Sequence, residues 1–390
     1  MPEWERRRLG DLCTRITVGH VGSMASRYTE NGIPFLRSLN IKRGRLDLST
    51  LKYIDEVFHA ELAKSQLKPG DLAIVRTGEP GTAALIPDGL GPMNCSDVVI
   101  ATPGPEVDAR FLCYAINETA QDFVKAHTVG AVQQHFNVRS AKELELNLPP
   151  LSVQRTLSEL LGTLDDKIAV NERIAATADE FSGELFRYAV LAHPERFTER
   201  ALTDAAEFIN GRAFTKDATG TGRMVVRIAE INSGPGTSTV YNEIEVSDKY
   251  LARPGDVLFA WSGSLTVARW FRPEAIINQH IFKCVPKDGN PYWLVNQLVH
   301  RKIDEFRAIA ADKATTMGHI QRKHLDEPVS VPEPEELASL DSQIGPLWDR
   351  ALLAERESLA LATLRDTLLP QLMSGRLRVK DAEKIVEDAT

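Results

Sequence analysis

Asp165-Asp166-Lys167 has an acid-x-lysine spacing of the nuclease type. It falls on a helical stripe between Leu164 and Ile168, so it reads as the solvated face of that helix. His135 and His319 occupy equivalent places in two halves of the chain, where a duplicated general base could stand. Neither lies within a local Ser, Cys or metal-ligand pattern, so each reads as a polar loop contact or a packed histidine. No Gly-Lys dipeptide occurs, which excludes a phosphate-binding P-loop. The four cysteines (Cys13, Cys95, Cys113, Cys284) include no CxxC pair, which argues against a zinc site and a disulfide framework and for a reducing cytoplasm. Asn290-Pro291-Tyr292-Trp293 approaches the Asn-Pro-Pro-Tyr of amino-methyltransferases but lacks the second proline. No Gly-rich cofactor loop precedes it, and its proline sits at an expected helix start. No residue reads as catalytic and none as a metal ligand. The loops must therefore be read for binding, within the elements that carry them.

Those elements occur twice. Leu67-Lys68-Pro69-Gly70-Asp71-Leu72 is matched by Leu251-Ala252-Arg253-Pro254-Gly255-Asp256-Val257, at an offset of about 185 residues. Asn94 matches Asn278, His135 matches His319, and Leu148-Pro149 matches Val331-Pro332 at nearly the same offset. After each Pro-Gly-Asp turn comes an apolar, β-favouring run, Leu72-Ala73-Ile74-Val75 and Val257-Leu258-Phe259-Ala260. Each run ends in a polar glycine turn, Arg76-Thr77-Gly78 and Trp261-Ser262-Gly263. Helices are predicted at 109–125 and 293–309, each followed by a Gly-containing loop. The fold class is α+β: two tandem pseudo-repeated mixed domains separated by two long, antiparallel coiled-coil helices. The predicted domains are 1–150 and 196–334, the spacer helices 151–195 and 335–376, and a flexible tail 377–390.

The helical stretches follow proline stops, Leu148-Pro149-Pro150-Leu151 and Val331-Pro332-Glu333-Pro334. Leu157, Leu161, Leu164, Ile168 and Asn171 keep alternating steps of four and three, as do Leu340, Ile344 and Leu347, with Leu361, Leu364 and Leu368 beyond. That is coiled-coil spacing, with Asn171 as a polar seam residue able to fix register. A helix of about 40 residues spans about 60 Å, so the pair is expected to act as a rigid spacer.

The net charge of −8 is unevenly spread. Residues 1–150 carry 17 Lys and Arg against 18 Asp and Glu, and residues 196–334 carry 18 against 17. Each helical stretch nets −4. The mixed domains are thus neutral and free to gather cations on one face, with modest DNA affinity alone. No apolar run reaches the length of a membrane span, and the N-terminus lacks a signal-peptide apolar region, so the chain is expected in the cytoplasm without membrane contact.

The chain resembles the specificity (S) subunit, HsdS, of type I restriction-modification systems. The resemblance rests on Trp4…Leu9-Gly10-Asp11 and on Leu148-Pro149-Pro150-Leu151 leading into Leu160-Leu161-Gly162-Thr163-Leu164-Asp165-Asp166-Lys167-Ile168 with Asn171-Glu172-Arg173-Ile174. It rests also on Ala314-Thr315-Thr316-Met317-Gly318-His319-Ile320 and on Leu364-Arg365-Asp366-Thr367-Leu368-Leu369-Pro370-Gln371-Leu372-Met373-Ser374-Gly375-Arg376-Leu377. It implies two target-recognition domains, each reading one half of a split double-stranded DNA target. It also implies that the helices dock two modification (methyltransferase) subunits, which carry S-adenosylmethionine. Restriction subunits using ATP and Mg would complete an endonuclease, and this chain would hold the duplex while an adenine is flipped into the partner.

On that reading, side chains able to meet base edges or phosphates cluster in loops after the strands. In the first half these are Arg37, Asn40, Lys42, Arg43 and Arg45, then Arg76 and Thr77, then Gln133 and Gln134. In the second they are Arg227 and Asn232, then Trp261, Ser262 and Ser264, then Lys313, Thr315, Thr316 and His319. Arg suits guanine and Gln or Asn suits adenine. The alternative is a non-catalytic scaffold whose paired helices bind protein partners.

Overall fold

The computed structural model describes residues 4–126, 136–312 and 319–389. The chain divides into two compact units. One comprises Met1–Asp166 with Ala362–Thr390, the other Lys167–Leu361.

In the first unit an antiparallel sheet runs in the order Cys13–Val18, Val98–Pro103, Leu72–Val75, Ala83–Leu85. A second sheet runs Lys52–Ile54, Ile33–Leu36, Met93–Cys95, Gln66–Leu67, with its central pair parallel. Glu5–Arg8 pairs with Glu145–Leu148 to make a short ribbon. Leu72–Val75 is buried throughout, which is why it reads as an unbroken apolar run rather than an alternating one. The helix Ala109–Ala126 closes the core through Phe111, Leu112 and Ile116.

The second unit repeats this order strand for strand. One sheet runs Ala206–Asn210, Ile281–Pro286, Val257–Ala260, Thr266–Arg269. The other runs Val240–Asn242, Arg223–Val226, Ala275–Ile277, Leu251–Ala252, again with a parallel central pair. Phe197–Ala201 pairs with Pro328–Pro332. The duplication seen in the sequence is therefore a duplication of topology. One matched pair does not hold. Asn94 lies within its strand opposite Phe35, whereas Asn278 follows its strand and donates to the carbonyl of Val226. The position equivalent to Asn278 is Ser96, whose amide donates to Leu36.

The Pro-Gly-Asp turns are more than bends. Gly70 and Gly255 have φ of +86° and +99°, which disfavours any side chain there. The following carboxylate folds back onto the turn. Asp71 accepts from the Lys68 amide at 2.9 Å, and Asp256 from the Arg253 amide at 2.7 Å. Both are buried, so each needs a cation, and each finds it on a different strand. Arg15 meets Asp71 at 2.9 Å, and Lys283 meets Asp256 at 2.8 Å.

Two long helices, Leu151–Ala192 and Pro334–Met373, pack against each other. Within the second unit Lys167 and Asn171 both reach Glu357, at 2.7 and 2.9 Å, while Ala175 and Ala178 cluster with Ala351 and Ala354. Positions advance along one helix as they recede along the other, so the packing is antiparallel, and the small residues let the helices approach closely. Asn171 is the expected polar seam residue, satisfied by Glu357. The stripes also do more than seal this seam. Leu157, Leu161, Leu364 and Leu368 belong to the core of the first unit, and Leu340 and Ile344 to that of the second. The apolar ends of each stripe thus serve the mixed domain, and its alanine centre serves the other helix.

The expected flexible tail at 377–390 is corrected by the structure. Val379–Ala389 forms a helix whose Ala382 is buried and whose Val379 and Val386 pack on the first core. Its polar composition hides a one-sided apolar face.

Candidate nucleic-acid interface

The loops singled out in the sequence gather at one end of the strands in each unit, but the expected residues have different fates. In the first unit Asn40 is fully buried and shapes the backbone. Its Oδ1 accepts from the Arg37 amide at 3.0 Å and its Nδ2 donates to the Asp47 carbonyl at 2.9 Å. It cannot read a base, and its role is to hold the turn Ser38–Asn40 that precedes exposed Lys42, Arg43 and Arg45. Arg43 pairs with Glu118 at 2.8 Å. Arg37 donates to the carbonyl of Thr50 at 2.5 Å, and its Nε is buried without a partner among the described residues.

In the second unit Arg227 takes the place of Arg37 and is clamped by Glu230 through contacts of 3.0 and 2.6 Å. Burial alone would push the Glu230 carboxyl up; hydrogen bonds from Arg227 and Thr239 hold it below the usual carboxylate range. Asn232 is exposed.

The second loop differs most. In the first unit Arg76 meets Asp97 at 2.5 Å, Thr77 lies 3.5 Å from the same carboxylate, and Ser38 donates to the Asp97 carbonyl at 3.1 Å. In the second unit the Trp261 ring lies 5.1 Å from His280 and 6.3 Å from His319, and its Nε1 donates to Asn210 at 2.8 Å. Ser262 is buried and bridges to His319 through its backbone, while Ser264 is exposed. The third loop ends against the second in both units: Phe136 donates to the Arg76 carbonyl at 3.0 Å, and Ile320 to the Trp261 carbonyl at 3.2 Å. Gln133, Gln134, Lys313, Thr315 and Thr316, with His135, lie outside the described residues.

Two residues at the centre of these clusters escaped the sequence reading. Asp97 and His280 each lead into the central strand of their sheet with positive φ, +53° and +72°. Strand register makes them equivalent, because Val98 pairs with Val75 as Ile281 pairs with Ala260. The only sequence signal was a polar residue placed between two β-runs.

Gly211, which follows the strand Ala206–Asn210, is packed against the backbone at the end of the strand Ala275–Ile277. A Cβ on Gly211 would stand 2.1 Å from the Asn278 carbonyl oxygen and 2.3 Å from that of Ile277. Backbone must move to admit it. Gly211→Ala is expected to destabilise the second unit by about 1–3 kcal/mol, measured by urea denaturation. A change below ~0.5 kcal/mol would show that the turn yields freely.

Residues 1–179 match the family profile described as "Type I restriction modification DNA specificity domain". The chain is 25% identical over 218 residues to the type I restriction enzyme HindI specificity subunit of Haemophilus influenzae, covering 52% of this chain and 44% of that one. It is 24% identical over 204 residues to a Methanocaldococcus jannaschii protein described as the MjaX specificity subunit, covering 49% and 47%. The N-terminal 179 residues thus match a type I restriction-modification DNA specificity domain. The matches span about half the length of these curated relatives. The crystal structure of the type I restriction-modification S subunit from M. genitalium has the same fold, with a TM-score of 0.55 at 16% identity, covering 95% of this chain and 96% of that chain.

The helix stripes expected to bind partners face inward. Leu157, Leu161, Leu164, Ile168, Asn171, Leu340, Ile344, Leu361 and Leu368 are buried, and Leu347 and Leu364 are partly buried in the same clusters. Their apolar area is consumed within the chain, whereas Phe181, Tyr188 and Leu191 of the first long helix are exposed. Nor is Asp165 a solvated residue. It accepts from the Tyr114 hydroxyl and pairs with Arg365 at 2.6 Å, while Asp166 pairs with Arg110 at 2.7 Å and Lys167 with Glu357. The acid-x-lysine triplet is spent on structural ion pairs. No group of residues able to hold a metal ion occurs among the described residues, and no described helix is long and apolar enough to cross a membrane.

Proposed function

We propose that this chain is the DNA sequence-specificity subunit of a type I restriction-modification complex. Each unit reads one half of a split, asymmetric duplex target through its loop cluster. Two modification subunits dock on the outer faces of the long helices and supply S-adenosylmethionine and the adenine chemistry. Restriction subunits, where present, supply ATP-dependent cleavage with Mg. The chain itself contributes recognition and no catalytic step. The observation that supports this best is the pairing of a repeated scaffold with unrepeated contacts. The same loops converge in both units, yet one carries Arg76 with Asp97 and the other Trp261 with His280. A scaffold repeated for symmetry alone has no reason to vary there. A reader of two unlike half-sites has every reason, because base-edge contacts must differ where the bases differ.

The test is single-base methylation mapping in cells expressing this chain with its modification subunit. The expected result is a split motif with one methyladenine in each half. Substituting Arg76 together with Gln133 should abolish or alter one half only. No new methylation, with the same modification subunit active on another specificity subunit, would sink DNA recognition and favour the protein scaffold.

A further inference from the structure

We infer that Arg76 and Asp97 act together on one G·C pair in the first half-site, with Arg76 on the guanine and Asp97 on its cytosine. This rests on the proposed role in DNA recognition and names a base pair for that site.

The argument begins with charge. A carboxylate at a DNA-facing loop is costly, because it repels phosphate and weakens the counterion-release gain of its neighbours. Asp97 nonetheless stands at the centre of the loop cluster, with its side chain 49% exposed beside that of Arg76 at 22%. As a stability device the pair is weak, since exposed ion pairs contribute little. It is also unneeded for the turn, whose backbone is already fixed. The Asp97 amide donates to His20, and its carbonyl accepts from Ser38. In the second unit the same position does without a carboxylate, and His280 lies against Trp261 instead. The carboxylate is therefore specific to the first unit's contacts, not to the fold.

Major-groove chemistry gives it a use. Guanine offers O6 and N7, two acceptors that fit an arginine fork, and the cytosine opposite offers an N4 donor that fits a carboxylate. No other base pair presents two adjacent acceptors next to a donor in that order. Arg76 Nη1 and the Asp97 carboxylate already lie side by side, with both side chains partly exposed. One acidic and one basic side chain held in contact thus match the donor and acceptor halves of a single G·C pair. The Trp261 and His280 rings of the second unit bring no such charge pair and must read their half-site differently.

The experiment uses the full chain co-expressed with its modification subunit, and maps methylation for the wild type, Asp97→Asn and Arg76→Lys. The wild-type motif should contain a fixed G·C in one half. Asp97→Asn, which is nearly isosteric but adds a donor, should relax that one position, with discrimination falling roughly 5- to 150-fold. Arg76→Lys should relax the same position, and all others should hold. If Asp97 merely props Arg76, Asp97→Asn will lower methylation at every site alike and leave the motif unchanged, which overturns the inference. If the variant is silent, the wild-type complex is titrated against duplexes carrying 7-deazaguanine at each guanine of that half. A loss of affinity confined to one guanine, not increased further by Arg76→Lys, supports the contact; equal binding to all of them refutes it. Failure of the wild type to methylate any split motif would instead strike the parent reading.

Discussion

Replacing Arg269 with alanine should cost the second unit about 3–5 kcal/mol, the usual loss when one partner of a buried ion pair is removed. Arg269 is 3% exposed and meets Glu355 at 2.8 Å and Asp179 at 3.0 Å, with its guanidinium 4.4 Å from the Trp348 ring centre. Asp179 sits on the first long helix, Glu355 on the second, and Arg269 on the strand after the Trp261 loop. One side chain therefore ties that strand to both helices. Asp179 is half exposed, so its share is screened by solvent; most of the loss comes from Glu355. Burial already raises the Glu355 carboxyl above its ordinary value, and the Arg269 hydrogen bond offsets part of that. A carboxyl raised in the folded state contributes stability below its unfolded pKa and loses it as pH climbs through the folded one. The alanine variant removes the offset, so it should recover stability as pH is lowered from neutral toward the ordinary carboxylate range. Urea melts across that window read the effect. Equal destabilisation at every pH would show that the loss is one of packing alone. Arg269→Leu should cost less, since Leu85 fills the equivalent place in the first unit, opposite Leu72 as Arg269 is opposite Val257.

The second large effect is expected at Asp71. Asp71→Ala should destabilise the first unit by about 3 kcal/mol or more. The carboxylate is 1% exposed. It accepts from Arg15, from the Lys68 amide at 2.9 Å and from the Thr102 hydroxyl at 2.5 Å. Arg15 can turn toward water when released, so its stranded charge is only part of the loss. The larger part is the turn itself, whose amide and hydroxyl are left without an acceptor. Asp71→Asn keeps the shape and one acceptor, and should recover roughly half of the loss. Comparing both variants by chemical denaturation separates charge from turn geometry. If alanine and asparagine cost the same, charge pairing carries the effect and the cap contributes nothing.

The parts that were legible in the sequence are those set by local rules. Pro-Gly-Asp demands a left-handed glycine and a carboxylate that folds back, and it announced both units. The buried strands showed as unbroken apolar runs, and the long helices as regular stripes. What stayed hidden depended on register and on distant partners. Asn94 and Asn278 matched by letter, yet the first unit has two more residues than the second in the connection from the strand ending at Leu85 to the strand that follows it, so they fill different places. Asn40 looked like a base reader because nothing local shows that its amide is committed to Arg37 and Asp47. Asp165 looked solvated because Tyr114 and Arg365 lie 51 and 200 positions away. Asp97 and His280 carry no motif, and their importance appears only when strand pairing superposes the two units.

The composition of the first unit bears on how the molecule is made. Its core is sealed by Leu368, Leu369, Leu372 and Met373, and the Val379–Ala389 helix packs on the same cluster. At the usual ~5–20 residues per second of synthesis, the opening sheets leave the ribosome well before those side chains exist. The whole second unit is translated in the interval, and its own segments are contiguous. The half that is synthesised first is thus the half that finishes folding last. Until then its apolar face stays open, which makes the nascent chain a client for chaperones and leaves any truncated product with one sound unit and one adhesive one.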